Sequence, residues 1–127
     1  MQAAKQGLQS NRTAYSGLAD KLPKEPGLYV FFVNNQNALS ETVLQAHSLI
    51  EPLYAGKSED NLRKRDFETH FVESKSGSST VRRSFGALLR ERLSLRPTRR
   101  GYTGKDQDFL MYKFDDGSER LLSEWMR

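Results

Sequence analysis

Two tyrosines sit in short apolar stretches, Tyr29 in the run Gly27-Leu28-Tyr29 and Tyr54 in the run Tyr54-Ala55-Gly56, and the basic segment Asn61-Leu62-Arg63-Lys64-Arg65 follows closely. Phenols beside a guanidinium suit attack on a phosphodiester. Such a reaction needs an activated water, positive charge for the pentavalent state and, in most cases, a divalent ion on the oxyanions. A phenol orders or deprotonates water when a nearby cation lowers its pKa. Lys57 and Arg65 are the cations near Tyr54 in sequence, and the planar fork of Arg65 suits a bidentate phosphate contact. Each residue alone has a plainer reading: a strand tyrosine fills a core, and His70 beside Phe71 is a partly buried structural residue. It is their order and spacing that point to chemistry.

The elements that must hold these residues follow from pattern. Residues 5 to 21 read as a helical lead-in, with Leu8, Tyr15 and Leu18 at helical spacing, packing on the sheet and closed by Pro23 and Pro26. Leu28 to Val33 and Leu53 to Ala55 read as strands that pair antiparallel across about 20 residues. A short helix is expected in Thr42-Val43-Leu44-Gln45-Ala46-His47-Ser48-Leu49-Ile50. Ser58 is placed to cap a helix running to Phe71, with Leu62, Phe67 and Phe71 inward and Arg63 and Lys64 outward. On that helix, Arg65 and His70 are five residues apart, which sets them about 140° apart at regular α-helical pitch.

Lys75-Ser76-Gly77-Ser78-Ser79 reads as a flexible link into an amphipathic basic helix from Thr80, with Val81, Phe85, Leu88 and Leu89 as its apolar stripe and its arginines elsewhere. Residues 96 to 106 read as a basic loop, Phe109 to Phe114 as a strand and Asp115-Asp116-Gly117 as a turn. A last helix capped by Ser118 carries Leu121, Leu122, Trp125 and Met126 near one face.

Composition narrows the choices. The 127 residues contain no cysteine and two histidines, so disulfides, thiolate zinc sites and a histidine-rich metal centre are excluded. A metal, if used, is a hard ion on oxygen ligands. Residues 62 to 100 carry eleven Lys/Arg against four Asp/Glu, a net of +7 within a chain of +4. This block suits a phosphate backbone, although a merely solvated helix face has the same charge. No apolar run is long enough to cross a bilayer and no secretion signal precedes the first strand, so a cytoplasmic protein is expected.

The order of these segments resembles the GIY-YIG nuclease superfamily. Residues 27 to 29 stand for its first tyrosine triad, residues 54 to 56 for its second, and Gly56-Lys57-Ser58-Glu59-Asp60-Asn61-Leu62-Arg63-Lys64-Arg65 for its basic continuation with one residue added. Thr69-His70-Phe71 resembles the end of the family's helix, and residues 76 to 93 resemble an uncharacterised bacterial subfamily. The resemblance implies an α+β fold in which helices flank a small mixed or antiparallel central sheet. It implies one domain over residues 1–127: a helical lead-in (1–25), a motif core (26–71) and a basic helix, strand and final helix (78–127).

By the same resemblance, Tyr54 is the general base or water-positioning group with Tyr29 beside it. Lys57 and Arg65 stabilise the phosphate, with Arg63 a rival for the arginine, and His70 assists the base. The activity implied is endonucleolytic cleavage of DNA by water, with one Mg²⁺ or Mn²⁺. Arg63, Lys64, Arg82, Arg83, Arg90, Arg99 and Arg100 are the expected contacts to the DNA backbone. The family's metal-holding glutamate has two registers: Glu124, or a residue beyond 127 in a longer chain. The alternative to an enzyme is a catalytically incomplete module that binds nucleic acid through the same basic helix and loop.

Overall fold

The computed structural model describes residues 12–99 and 112–127. Pro26 delivers the chain into β1 (Gly27–Phe31), which pairs antiparallel with β2 (Tyr54–Ser58). The register sets Tyr29 opposite Gly56 and Phe31 opposite Tyr54. Residue 56 must be glycine because the Tyr29 ring occupies the space a side chain there would take. Tyr54 lies diagonally across the ladder from Tyr29, within reach of an aromatic ring, and the two rings stack with centroids 6.4 Å apart. The hairpin thus presents both phenols on one face.

The chain between the strands forms a 3₁₀ turn at Gln36–Leu39 and further turns, and the helix expected over 42 to 50 does not form. Side chains there compete for the backbone. Thr42 Oγ1 donates to the Leu39 carbonyl and accepts from Leu44 N–H, while Gln36 Nε2 donates to the carbonyls of Gln45 and His47.

Asn61, and not Ser58, caps the next helix, accepting from Lys64 N–H at 2.9 Å. Ser58 accepts from Asn61 N–H one step earlier. Helix α1 (Leu18–Lys21) closes the lead-in, and α2 (Leu62–Arg65) runs directly into a π-helical turn at Asp66–His70. The turn closes with Phe71 N–H donating to the Asp66 carbonyl, five residues back. The lead-in packs mainly on this helical segment, Tyr15 against Phe67 and Phe71, while Arg12 lies over the Phe32 ring just past β1. The expected lead-in position Leu8 lies outside the described residues.

Helix α3 (Thr80–Leu89) is capped by Ser79, and its buried positions are Val81, Arg82, Phe85, Gly86 and Leu89. Residues 75 to 79 are not a loose link, because the side chains of Ser76 and Ser79 are fully buried. Part of the expected basic loop is a strand: β3 (Pro97–Arg99) pairs antiparallel with β4 (Tyr112–Phe114). The remaining loop and the expected strand residues 109 to 111 lie outside the described residues. Helix α4 (Asp116–Met126) begins at an Asp115 cap that accepts from Ser118 N–H, so Asp116 and Gly117 are already helical. Ser118 Oγ instead accepts from Arg96 N–H and fixes the start of the β3–β4 pair.

The class is therefore α+β, with its antiparallel pairing divided between two two-stranded sheets. One apolar cluster joins Tyr29 and Leu62 to Val81, Phe85, Leu89, Leu95, Phe114 and Leu122. On α4, Leu122 is fully buried, Trp125 and Met126 are half-buried and Leu121 is exposed. No helix among the described residues is long and apolar enough to cross a membrane.

Candidate active site

Tyr29 Oη lies 3.0 Å from His70 Nε2, and His70 Nδ1 lies 2.7 Å from Ser79 Oγ. All three side chains are buried, His70 and Ser79 completely. The π-turn makes this meeting possible. Residues five apart lie nearly over one another across an i to i+5 turn, so Arg65 and His70 do not splay as they would on a regular α-helix. The Arg65 guanidinium accordingly acts on Tyr29, Asp66 and His70 together.

The electrostatics of the site are dominated by burial. Burial raises the Tyr29 phenol above its ordinary value, Tyr54 and Asp66 raise it further, and Arg65 opposes them. Burial pushes His70 down to about 4, with Arg65 and Arg82 adding to the shift. Burial pushes the Asp66 carboxyl up to about 7 against the pull of Arg65. Asp66 Oδ1 is buried without a hydrogen-bond partner and lies 4.0 Å from His70 Nε2. Sequence reasoning passed over Asp66, although its i, i+4 spacing from His70 was there to be read.

These opposed shifts give a test of burial. The folded chain keeps the Asp66 proton up to about pH 7 while the unfolded chain releases it near 3.8, so Asp66 costs stability as pH rises between them. His70 has the opposite slope: the unfolded chain takes up a proton below 6.5 that the folded chain refuses until about 4. Asp66→Asn removes the first effect only. The variant should gain about 4 kcal/mol relative to the parent between pH 4 and pH 7, read from urea midpoints across that range. A constant difference between the two proteins would contradict the burial of this carboxyl.

The other expected site residues divide. Tyr54 joins Tyr29 on the inner face of the hairpin. Lys57 does not, because three residues along a strand reverse the face: it is exposed and paired with Glu59 at 2.6 Å. Lys64, Arg90 and Arg99 are exposed and Arg63 is half-buried. Arg83 is half-buried and donates to the Ser76 and Gly77 carbonyls, and Arg92 donates to the Ala38 carbonyl. Arg100 lies outside the described residues.

Arg82 corrects the expectation most sharply, since it is fully buried and cannot face a DNA backbone. Its Nη2 donates to Glu119 Oε2 at 2.7 Å and to Ser123 Oγ at 3.0 Å, its Nε to Ser76 Oγ at 3.2 Å, and its Nη1 to the His70 carbonyl at 3.4 Å. The stripe of α3 was read from apolar residues alone, but Arg82 shares a column with Gly86, whose missing side chain leaves room for the Phe114 ring. Among the described residues the two glutamates of α4 do not form a ready-made donor set for a divalent ion. Glu119, the buried glutamate of α4, is committed to Arg82, Ser76 Oγ and Phe114 N–H, while Glu124 is exposed. No group of three or more acidic, histidine or cysteine side chains among the described residues is placed to hold a metal.

The family model for the GIY-YIG catalytic domain matches residues 27–127, from the first tyrosine strand through α4. The chain belongs to the GIY-YIG family. No curated protein and no solved structure matches it significantly. A GIY-YIG catalytic domain is of the nuclease type, with a nucleic acid as its substrate, and such nucleases are generally metal-dependent. In this GIY-YIG domain the two motif tyrosines, the helix arginine and the histidine come together on one side of the β1–β2 hairpin.

Proposed function

We propose that the protein is a DNA endonuclease whose phenol pair and Arg65 carry water attack on a phosphodiester. The observation that supports this is the hydrogen bond between Tyr29 and His70, made beside the Arg65 guanidinium. Arg65 holds the phosphate oxygens by its fork. Tyr54 positions the water, and Tyr29, which His70 and Arg65 both face, takes the water's proton once its own has passed to solvent; burial confines that form to alkaline pH, and Arg65 opposes the shift. The family resemblance made Tyr54 the general base or the water-positioning group, and this reading takes the second of those roles for it. The water oxygen bonds to phosphorus, one ester bond breaks, and the departing oxygen is protonated by solvent. Exposed Lys64, Arg90 and Arg99 supply sequence-independent attraction to the backbone.

A supercoiled plasmid incubated with Mg²⁺ or Mn²⁺ tests the reading. Tyr29→Phe should lower the nicking rate by about 100-fold and Tyr54→Phe by about 10-fold, magnitudes set by general acid–base catalysis. Plasmid affinity should stay within about threefold, because neither hydroxyl neutralises a phosphate charge. Undiminished nicking by both variants would sink the proposal. A second reading, a module that binds DNA without cutting it, draws support from the commitment of Glu119 to Arg82. It predicts salt-sensitive plasmid binding with no nicking by the parent protein.

A further inference from the structure

We infer that Ser79 is a positioning residue that fixes the proton of His70 on Nε2, so that His70 donates to the Tyr29 oxygen instead of accepting from it. Ser79 Oγ accepts from Arg82 N–H at 3.0 Å as the cap of α3, which uses one of its lone pairs. Its own hydrogen must also be placed, since the side chain is fully buried. His70 Nδ1, at 2.7 Å, is the acceptor that takes it. The opposite tautomer would make Ser79 accept twice and strand a buried hydroxyl hydrogen, at a cost of about 1–3 kcal/mol.

A second observation points the same way. Nε2 faces the phenol oxygen of Tyr29 and, at 4.0 Å, the unpartnered Oδ1 of Asp66. An N–H is favoured over a bare ring lone pair at a position that faces two oxygens, one of them without any other partner. The remaining charges that act on the ring are those of Arg65 and Arg82, and with burial they keep the imidazole neutral, as one tautomer requires. Hydrogen-bond direction therefore runs from Ser79 to His70 to Tyr29. The phenol hydrogen is then not committed to His70. Once that hydrogen departs, the oxygen retains a donor from His70 beside the guanidinium of Arg65.

This assignment rests on the proposed role of Tyr29 for its functional meaning, but the tautomer is measurable without activity. In the intact chain, ¹⁵N chemical shifts of His70 should report the Nε2-protonated neutral ring near pH 7. Ser79→Thr keeps both the cap and the hydroxyl, so it should keep that tautomer and nick within about threefold of the parent. Ser79→Asp also caps a helix but has no proton to give. It should move the proton to Nδ1, raise the pH at which His70 becomes charged and lower nicking by about 10-fold or more with plasmid affinity retained.

A parent ring protonated on Nδ1, or an unchanged tautomer in folded Ser79→Asp, overturns the assignment. Should Ser79→Asp fail to fold, Ser79→Ala replaces it, and loss of the single Nε2–H tautomer is the expected result while its retention overturns the assignment. If the tautomers behave as expected but the parent does not nick, the endonuclease reading falls and the Ser79 assignment stands. If the parent nicks with its proton on Nδ1, the reverse holds.

Discussion

Arg82→Met should lower folding stability by about 3–5 kcal/mol, the usual consequence of leaving one charge of a buried ion pair without its partner. Against the 5–15 kcal/mol typical of a folded domain, that loss is enough to bring the chain close to unfolding at physiological temperature. Methionine replaces the aliphatic stem of Arg82 but none of its donors. Glu119 Oε2 would keep only Ser76 Oγ, and the Ser123 hydroxyl and the His70 carbonyl would each lose a partner. Urea unfolding followed by circular dichroism gives the measurement. The double variant Arg82→Met/Glu119→Leu should recover much of the loss, because both charges are gone. Recovery should be incomplete by about 1 kcal/mol for each orphaned polar group, since Phe114 N–H and Ser76 Oγ also rely on the Glu119 carboxylate. If Arg82→Met proves as stable as the parent, the pair is not the buried anchor described above.

Arg65→Ala should reduce nicking by about 100- to 1000-fold, the range found when one preorganised donor to a developing oxyanion is removed. Arg65→Lys should restore little, because a point charge does not reproduce a planar fork on phosphate or on the phenol. The substitution also has a signature in pH. Arg65 pulls the Tyr29 phenol down, so its removal should move the rising limb of the pH–rate profile, which follows the phenolate, to higher pH. It pulls His70 down as well, so the imidazole should titrate at higher pH in Arg65→Ala. Arg63→Ala is the control: a helix cation that only attracts the backbone should weaken binding and flatten its salt dependence without altering turnover. Equal losses of turnover in the two variants would remove the special place of Arg65.

The parts of the fold that were legible in sequence are those written in local pattern. The run Pro26-Gly27-Leu28-Tyr29-Val30-Phe31 announces a strand by its turn residues and its aromatic and β-branched content, and β1 forms there. The pairing of the tyrosine strands and the apolar column Val81, Phe85 and Leu89 were legible for the same reason. The reversed face of Lys57 was also implicit, since period-2 alternation from Tyr54 places it outside.

Arg82 was not legible, because its partner Glu119 lies 37 residues on and neither charge appears in an apolar periodicity. The serines at 76 and 79 look like linker composition and only their hydrogen bonds reveal them as core. Asp66 was hidden by the helix pattern: an acid in a basic segment reads as a solvated neighbour, whereas the π-turn directs it inward.

That turn also bears on how the motif tolerates changes of length. Inserting one residue into a regular helix rotates everything beyond it by about 100° about the axis, which would carry a histidine off its tyrosine. A wider loop of backbone takes up the surplus residue locally, so the segments before and after it keep their relative bearing. The turn at Asp66–His70 thus holds one residue more than a regular α-helical turn while keeping the contact at Tyr29, so the contacts of Arg65 and His70 constrain the site more tightly than the spacing between them.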